Sequence, residues 1–162
     1  TDVTISARKD NLEAPLMLVA RPKQVNRRLM RKFFRVGTII EVNVHLIGDL
    51  GEYGREKYAD NELTAGVMLD ISGGGGKIRA PVSLQTDGMR YAILWFTLPL
   101  IHKSFYNMLT KIKTVTADGN DKFVLVEFTG LSEEERDDIV QYCVRQQTAA
   151  LKAEAEIKAG KA

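Results

Sequence analysis

The chain has 162 residues, 44% of them hydrophobic and 27% charged, with 13 glycines and a formal net charge of +2. These proportions exclude a disordered chain and fit a single folded domain with some attached material. Cys143 is the only cysteine, which rules out an intrachain disulfide and a cysteine-based zinc site, and His45 and His102 lie far apart in the chain.

Residues 1 to 24 read as a polar start and a short apolar run, Pro15 to Ala20, ended by Arg21-Pro22. That run reads as one strand with no hairpin partner nearby. The chain begins at Thr1 rather than Met, which suggests a piece of a longer protein. Next comes "RPKQVNRRLMRKFFRV", residues 21 to 36, with Arg21, Lys23, Arg27, Arg28, Arg31, Lys32 and Arg35 and no acidic residue. From Val36 to Pro99 the pattern turns β-rich. "VGTIIEVNVHLI", "TAGVMLDIS", "GKIRAPVSL" and "YAILWFTLP" each carry the β-branched, partly alternating signal of a strand, and "GDLGEYG" is a turn-rich break. In "YAILWFTLP" one of Trp95 and Phe96 is expected in the core and the other on the sheet surface. "FYNMLTKIKTVTADGNDKFVLVEFTG" reads as two strands around an Asp-Gly hairpin turn.

The last element is a helix. Ser132 followed three residues later by Glu135 is the capping-box arrangement, and Glu133, Glu134 and Asp137 complement the positive end of the helix dipole. Ile139, Cys143 and Gln147, with Val140 and Val144, form a narrow apolar stripe ending near Leu151. The Ala/Lys/Glu tail beyond it has nothing to bury and is expected to fray. Six or seven short strands followed by one amphipathic helix predict an all-β fold, a small antiparallel barrel with a helix packed on it.

Two stretches could carry chemistry. In the basic run, arginine is favoured over lysine, and the arginine fork binds phosphate or a guanine edge bidentately. Charge runs of this kind are usually solvated linkers, and Phe33 and Phe34 are expected to anchor the start of the barrel rather than stack on bases. The second stretch is "LDISGGGGKIRAP", residues 69 to 81. A P-loop would need Gly at 71 and Ser or Thr at 78, where this chain has Ile71 and Ile78. One reading is a plain hairpin connection with Asp70 and Ser72 bonding locally to the backbone. The other takes the two stretches together. A carboxylate, a hydroxyl and bare backbone then share one edge, open to a flat ligand lying against Gly74 and Gly75. An Asp carboxylate can accept from guanine N1–H and its exocyclic amine, and guanidinium groups supply charge and stacking planes. The complementary ligand is anionic, phosphate-bearing and guanine-like.

At these residues the sequence resembles the PilZ domain, whose signature is R-x-x-x-R followed by [D/N]-x-S-x-x-G. Arg31 and Arg35 match the first element; Asp70, Ser72 and Gly75 match the second. "VLVEFTGLSEEERDDIVQYCVRQQ" is similar to the last strand and helix of the flagellar-brake (YcgR-like) branch. "LMLVARPKQVNRRLMRKFFRV" is similar to the end of that branch's N-terminal domain plus its interdomain linker. The resemblance, over roughly residues 15 to 150, implies a six-stranded antiparallel barrel and a receptor for cyclic di-GMP. It assigns residues 1–24 to a remnant of the N-terminal domain, 25–36 to the linker, 37–130 to the barrel, 131–152 to the helix and 153–162 to a frayed tail. It also implies that Arg31 and Arg35 clamp phosphate and guanine, with Arg27 and Arg28 one helical turn earlier as further candidates. Asp70, Ser72, Gly74 and Gly75 would seat a guanine on the barrel edge.

Met30 stands where the family often has a second arginine, Leu29 where it often has Gln, and Gly76 where it usually has an apolar strand residue. The implied output is motility or another surface behaviour, through the flagellar motor or another effector protein, with a homodimer left open. No cofactor, DNA or membrane insertion is implied. With no apolar run of spanning length and no signal-peptide pattern, the expected compartment is the cytoplasm. Two other readings stay open: a degenerate PilZ domain that binds only protein, and a general RNA or single-strand binder with a barrel fold, resting on the basic run. No catalytic constellation appears, so an enzyme is not expected.

Overall fold

The computed structural model describes residues 5–9, 16–19, 32–53 and 62–160. The chain divides into two compact units, Thr1–Arg31 and Lys32–Ala162. In the first, β1 (Ile5–Lys9) pairs antiparallel with β2 (Leu16–Val19). The apolar run therefore does have a hairpin partner. Its partner strand, "ISARK", is too polar and too short to stand out by alternation.

In the second unit, β3 (Val36–Ile47), β4 (Thr64–Ser72), β5 (Gly75–Pro81), β6 (Tyr91–Leu98), β7 (Lys103–Asp118) and β8 (Asp121–Phe128) form a closed antiparallel barrel in the order β3-β4-β5-β8-β7-β6. The ring closes because β3 pairs with β4 along one edge and with β6 along the other. Closure leaves no strand edge unpaired, so every main-chain ladder finds its bonds inside the barrel. This is the six-stranded antiparallel barrel expected from the sequence.

Period-two alternation sets which side chains enter. Along β3, Val36, Thr38, Ile40, Val42 and Val44 are buried and Gly37, Ile39, Glu41 and Asn43 are exposed. Met68, Ile71, Ile78, Leu94, Val124 and Val126 join them in the core, where Phe96 stacks on Phe105 and Phe128 at centroid distances of 5.1 and 6.5 Å. Phe96 is thus the core residue of the pair and Trp95 lies half-buried. β7 and β8 meet in a hairpin at Gly119-Asn120, as the Asp-Gly signal predicts.

The helix α1 (Glu133–Ala159) begins at the expected box: Ser132 Oγ accepts from the Glu135 amide at 3.2 Å, and the Glu135 carboxylate accepts from the Ser132 amide at 2.9 Å. It packs on β3 and β4. Ile139, Tyr142 and Cys143 are buried, whereas Val144 is 48% exposed, so the buried face is rotated from the expected stripe. Tyr142 belongs to it because its hydroxyl shares a hydrogen bond of 2.6 Å with the buried Thr38 hydroxyl, satisfying both polar groups. Burial pushes the Cys143 thiol up to about 11, and its Sγ lies 3.6 Å from the Ile71 carbonyl. Lys103 Nζ, 2.8 Å from Asp138 Oδ2, ties the helix to the start of β7. The helix extends to Ala159, and its Ala-, Glu- and Lys-rich end has high intrinsic helix propensity.

Among the described glycines, Gly75 is the one where barrel closure leaves least room for a side chain. A Cβ at Gly75 would lie 2.1 Å from the Val126 carbonyl oxygen on β8, a backbone atom with no rotamer to give way. Gly75→Ala is expected to lose about 3 kcal/mol in a urea unfolding titration, from the forced separation of β5 and β8. A loss under about 0.5 kcal/mol would show that the two strands can part without cost.

Candidate functional site

The site is built where β4 turns into β5. β4 carries a bulge between Met68 and Asp70 against β5, and such an extra residue re-aims the side chains beside it. Asp70 then stands opposite Gly37 on β3 and Lys77 on β5. The absence of a side chain at Gly37 leaves room beside the carboxylate, since nothing lies within 4 Å of the position a Cβ would take there.

Arg35, one residue before β3, brings its Nη1 to 3.7 Å from Asp70 Oδ1. At that distance the pair is a charge contact rather than a hydrogen bond. The two side chains are 30% and 26% exposed, so solvent screens the attraction only in part. Asp70 Oδ1 is itself buried and accepts no hydrogen bond among the described residues. A buried carboxylate oxygen in that condition is uncommon, because leaving it without a donor costs its desolvation.

Ser72 behaves differently. It is buried, its hydroxyl donates to the Gly75 carbonyl at 3.2 Å, and it accepts from the Gly74 amide at 3.3 Å. The local-turn reading of the motif therefore holds for Ser72 and fails for Asp70, whose side chain makes no turn bond. Arg27, Arg28 and Arg31 lie outside the described residues.

The glycines were expected to leave bare backbone for a flat ligand. The directions their side chains would take are instead filled by the protein. A Cβ at Gly73 would lie 2.9 Å from both Phe33 Cδ1 and Val140 Cγ2, and one at Gly74 would lie 3.2 Å from Phe33 Cδ2. Gly75 faces the Val126 carbonyl, and a Cβ at Gly76 would lie 2.7 Å from the Asp70 carbonyl and 3.3 Å from Met68 Sδ. The flat group lying on the glycine rim is the ring of Phe33. Arg136 and Lys32 each place a cation 5.5 Å from that ring's centroid, and Arg136 also donates to the Gly73 carbonyl. Phe33 anchors the barrel start as expected; Phe34 does not, being 44% exposed.

Sequence reasoning missed Arg136 and Val140 as parts of this assembly. The only available signal was their place on the face of α1 nearest its acidic start. A separate concavity lies on the outer face of β3, β4 and β6, lined by Ile39, Asn43, Ala65, Trp95, Thr97 and Tyr106. Glu41 is its one charged group, so it lacks the cations an anionic ligand needs.

Removing the Phe33 ring is expected to loosen both the linker and the helix. Phe33→Ala should cost about 1–2 kcal/mol in urea unfolding, below the range for a fully buried Phe because the ring is half-buried. It should also speed native-state alkylation of Cys143, since that thiol is reached only when α1 lifts. Unchanged stability together with unchanged alkylation would refute the anchoring role.

A model of the PilZ domain matches residues 30–145. No curated protein sequence matches the chain. Among solved structures, the chain is similar to the Bacillus subtilis inhibitor of motility MotI/DgrA, with 16% identity and a TM-score of 0.66, covering 91% of this chain and 65% of that one. It is also similar to Escherichia coli YcgR in complex with c-di-GMP, with 19% identity and a TM-score of 0.51, covering 96% of this chain and 60% of that one. A third is a tetrameric PilZ protein from Xanthomonas campestris, with 11% identity and a TM-score of 0.52, covering 76% of this chain and 93% of that one. The chain spans less than two thirds of the length of the first two. At these identities the structural likeness speaks for the fold. PilZ domains are nucleotide-binding receptor domains and not enzymes. The family match takes in both halves of the sequence signature, and the closed six-stranded barrel followed by a helix is that family's architecture: the chain belongs to the PilZ domain family.

Proposed function

We propose that the chain is a receptor for cyclic di-GMP, with no cofactor, that couples the dinucleotide to motility or another surface behaviour. The observation that carries the reading is the Asp70 carboxylate, whose buried Oδ1 has no hydrogen-bond donor among the described residues and lies 3.7 Å from the Arg35 guanidinium. A guanine edge offers that oxygen an N–H donor, and the phosphate attached to the base offers Arg35 an anion. One ligand thereby completes both groups. In this reading Arg31 and Arg35 clamp phosphate and guanine, and Asp70 reads the guanine edge. Ser72 holds the turn that presents Asp70, Gly74 and Gly75 give the rim its tight backbone, and Arg27 and Arg28 are auxiliary cations. Residues 1–24 act as the remnant of a neighbouring N-terminal domain and 25–36 as the hinge between them.

The solved relatives supply the context: one is described as an inhibitor of motility and another is a complex with c-di-GMP. The flagellar motor or another effector is then the downstream partner. No described helix is long and apolar enough to cross a membrane, and a cytoplasmic site of action is part of the proposal. Linker arginines that engage the ligand would also act on Phe33, which lies between them in sequence and rests on α1 through Val140 and Arg136. Binding would then shift the linker and the helix together, by as much as the ligand's differential affinity for the two arrangements.

One observation favours the degenerate reading, in which the domain binds only protein: the glycine rim is already covered by the protein's own ring. Gly76, by contrast, no longer favours it, because that glycine is required by the close approach of the Asp70 carbonyl.

Calorimetric titration of the chain with cyclic di-GMP separates the two. Binding is expected, and Arg35→Ala should weaken it by about 1.5–3 kcal/mol, the range for a charge-assisted contact. No heat from the unaltered chain would establish the degenerate reading instead. Ser72→Ala removes two turn bonds, so it is expected to lower the melting temperature as well as the affinity. A lowered melting temperature with full affinity would confine Ser72 to the turn.

A further inference from the structure

The outer surface of the barrel continues from Asp70 across β5 to β8. Lys77 stands opposite Asp70 on one side and Leu125 on the other, and Arg79 stands opposite Val67 and Phe123. Along β5, Ile78 and Ala80 are buried while Lys77 is half-buried and Arg79 exposed, so both cations face outward from the same strand. Two residues on one face of a strand stand about 7 Å apart, held by the barrel rather than by a loop.

What holds Lys77 is a ring, not an acid. Its Nζ lies 4.5 Å from the Phe123 centroid. Neither Lys77 nor Arg79 forms an ion pair with a described carboxylate, and Glu127, two residues along β8 from the partner of Lys77, is engaged by Lys113 at 3.1 Å. An ammonium kept in place by an aromatic face keeps its charge available to an anion, which a carboxylate partner would neutralise. The Cα positions of Asp70 and Phe123 are separated by two strand spacings and two residues of rise, about 12 Å. A ligand with a second base and a second phosphate spans that reach.

We propose that Lys77 and Arg79 form a second half-site for the same dinucleotide, an inference that rests on the cyclic di-GMP reading above. Lys77 binds the phosphate distal to Arg35, and Arg79 lays its guanidinium plane on the second guanine. Phe123 is a positioning residue that acts through Lys77. The patch makes the site prefer a dinucleotide over a single guanylate, because only the former engages both halves.

Titration of the full chain tests this. Lys77→Gln and Arg79→Gln are each expected to weaken cyclic di-GMP about tenfold, the loss of one charge-assisted or stacking contact. Lys152→Gln, which removes the same charge from the exposed far part of α1, is expected to leave affinity unchanged. Lys77→Arg should retain most of the affinity, and Phe123→Leu should lose about threefold with Lys77 intact. Weak binding of GMP, read at millimolar concentration, should be the same for the unaltered chain and Lys77→Gln. If Lys77→Gln binds cyclic di-GMP like Lys152→Gln does, the half-site is overturned while the receptor reading stands. An equal loss for GMP would place Lys77 at the Asp70 half and also overturn it. Absence of binding by the unaltered chain would overturn both.

Discussion

Side-chain-free backbone at residues 73 to 76 is the constraint on which the working end of this molecule depends. At each of these positions a Cβ would press on something the fold has already placed there: the Phe33 ring and Val140, the carbonyl of Val126, or the carbonyl of Asp70. Glycine is costly to order, so four in succession are retained where close approach returns more than that entropy. Here the approach brings β5 to β8 and closes the barrel. It also lets a residue from before the first barrel strand and a residue from the final helix meet over the same turn. Barrel, linker and helix share one contact point.

That meeting explains why the two polar residues of the turn have separate roles. Ser72 faces inward, and its hydroxyl is spent on the Gly74 amide and the Gly75 carbonyl, which hold the turn closed. Asp70, aimed outward by the bulge in β4, contributes nothing to the turn and keeps a buried oxygen with no donor among the described residues. A structural carboxylate would be expected to find a partner during folding. Here the nearest cation, the Arg35 guanidinium, stays just beyond hydrogen-bond distance, and the proposed recognition of a guanine edge rests on that geometry.

The mechanical consequence follows from Phe33. It lies between the two signature arginines in sequence and under Arg136 in space, while Arg136 also bonds the Gly73 carbonyl. In the proposed reading, a movement of the residues before β3 would reach the helix through this ring and guanidinium. The core itself, filled by stacked Phe96, Phe105 and Phe128, provides the rigid body against which such a movement can occur.

Much of this was legible in the chain. Period-two alternation marks six strands of the barrel, because inward and outward positions are a property of neighbouring residues. The start of the helix is written in Ser132 and Glu135, whose bonds span three residues. The ordered pair of motifs names Arg35, Asp70 and Ser72 without reference to any contact. Tertiary structure decided what faces those residues. That β2 pairs with β1 depends on a strand whose composition is not strand-like. That Tyr142 rather than Val144 is buried depends on where Thr38 sits. That the glycines serve packing, and that Lys77 rests on Phe123, depend on elements far apart in sequence brought together by barrel closure. A sequence specifies the physics of neighbours directly, but the direction of a missing side chain acquires meaning only when the fold supplies what lies there.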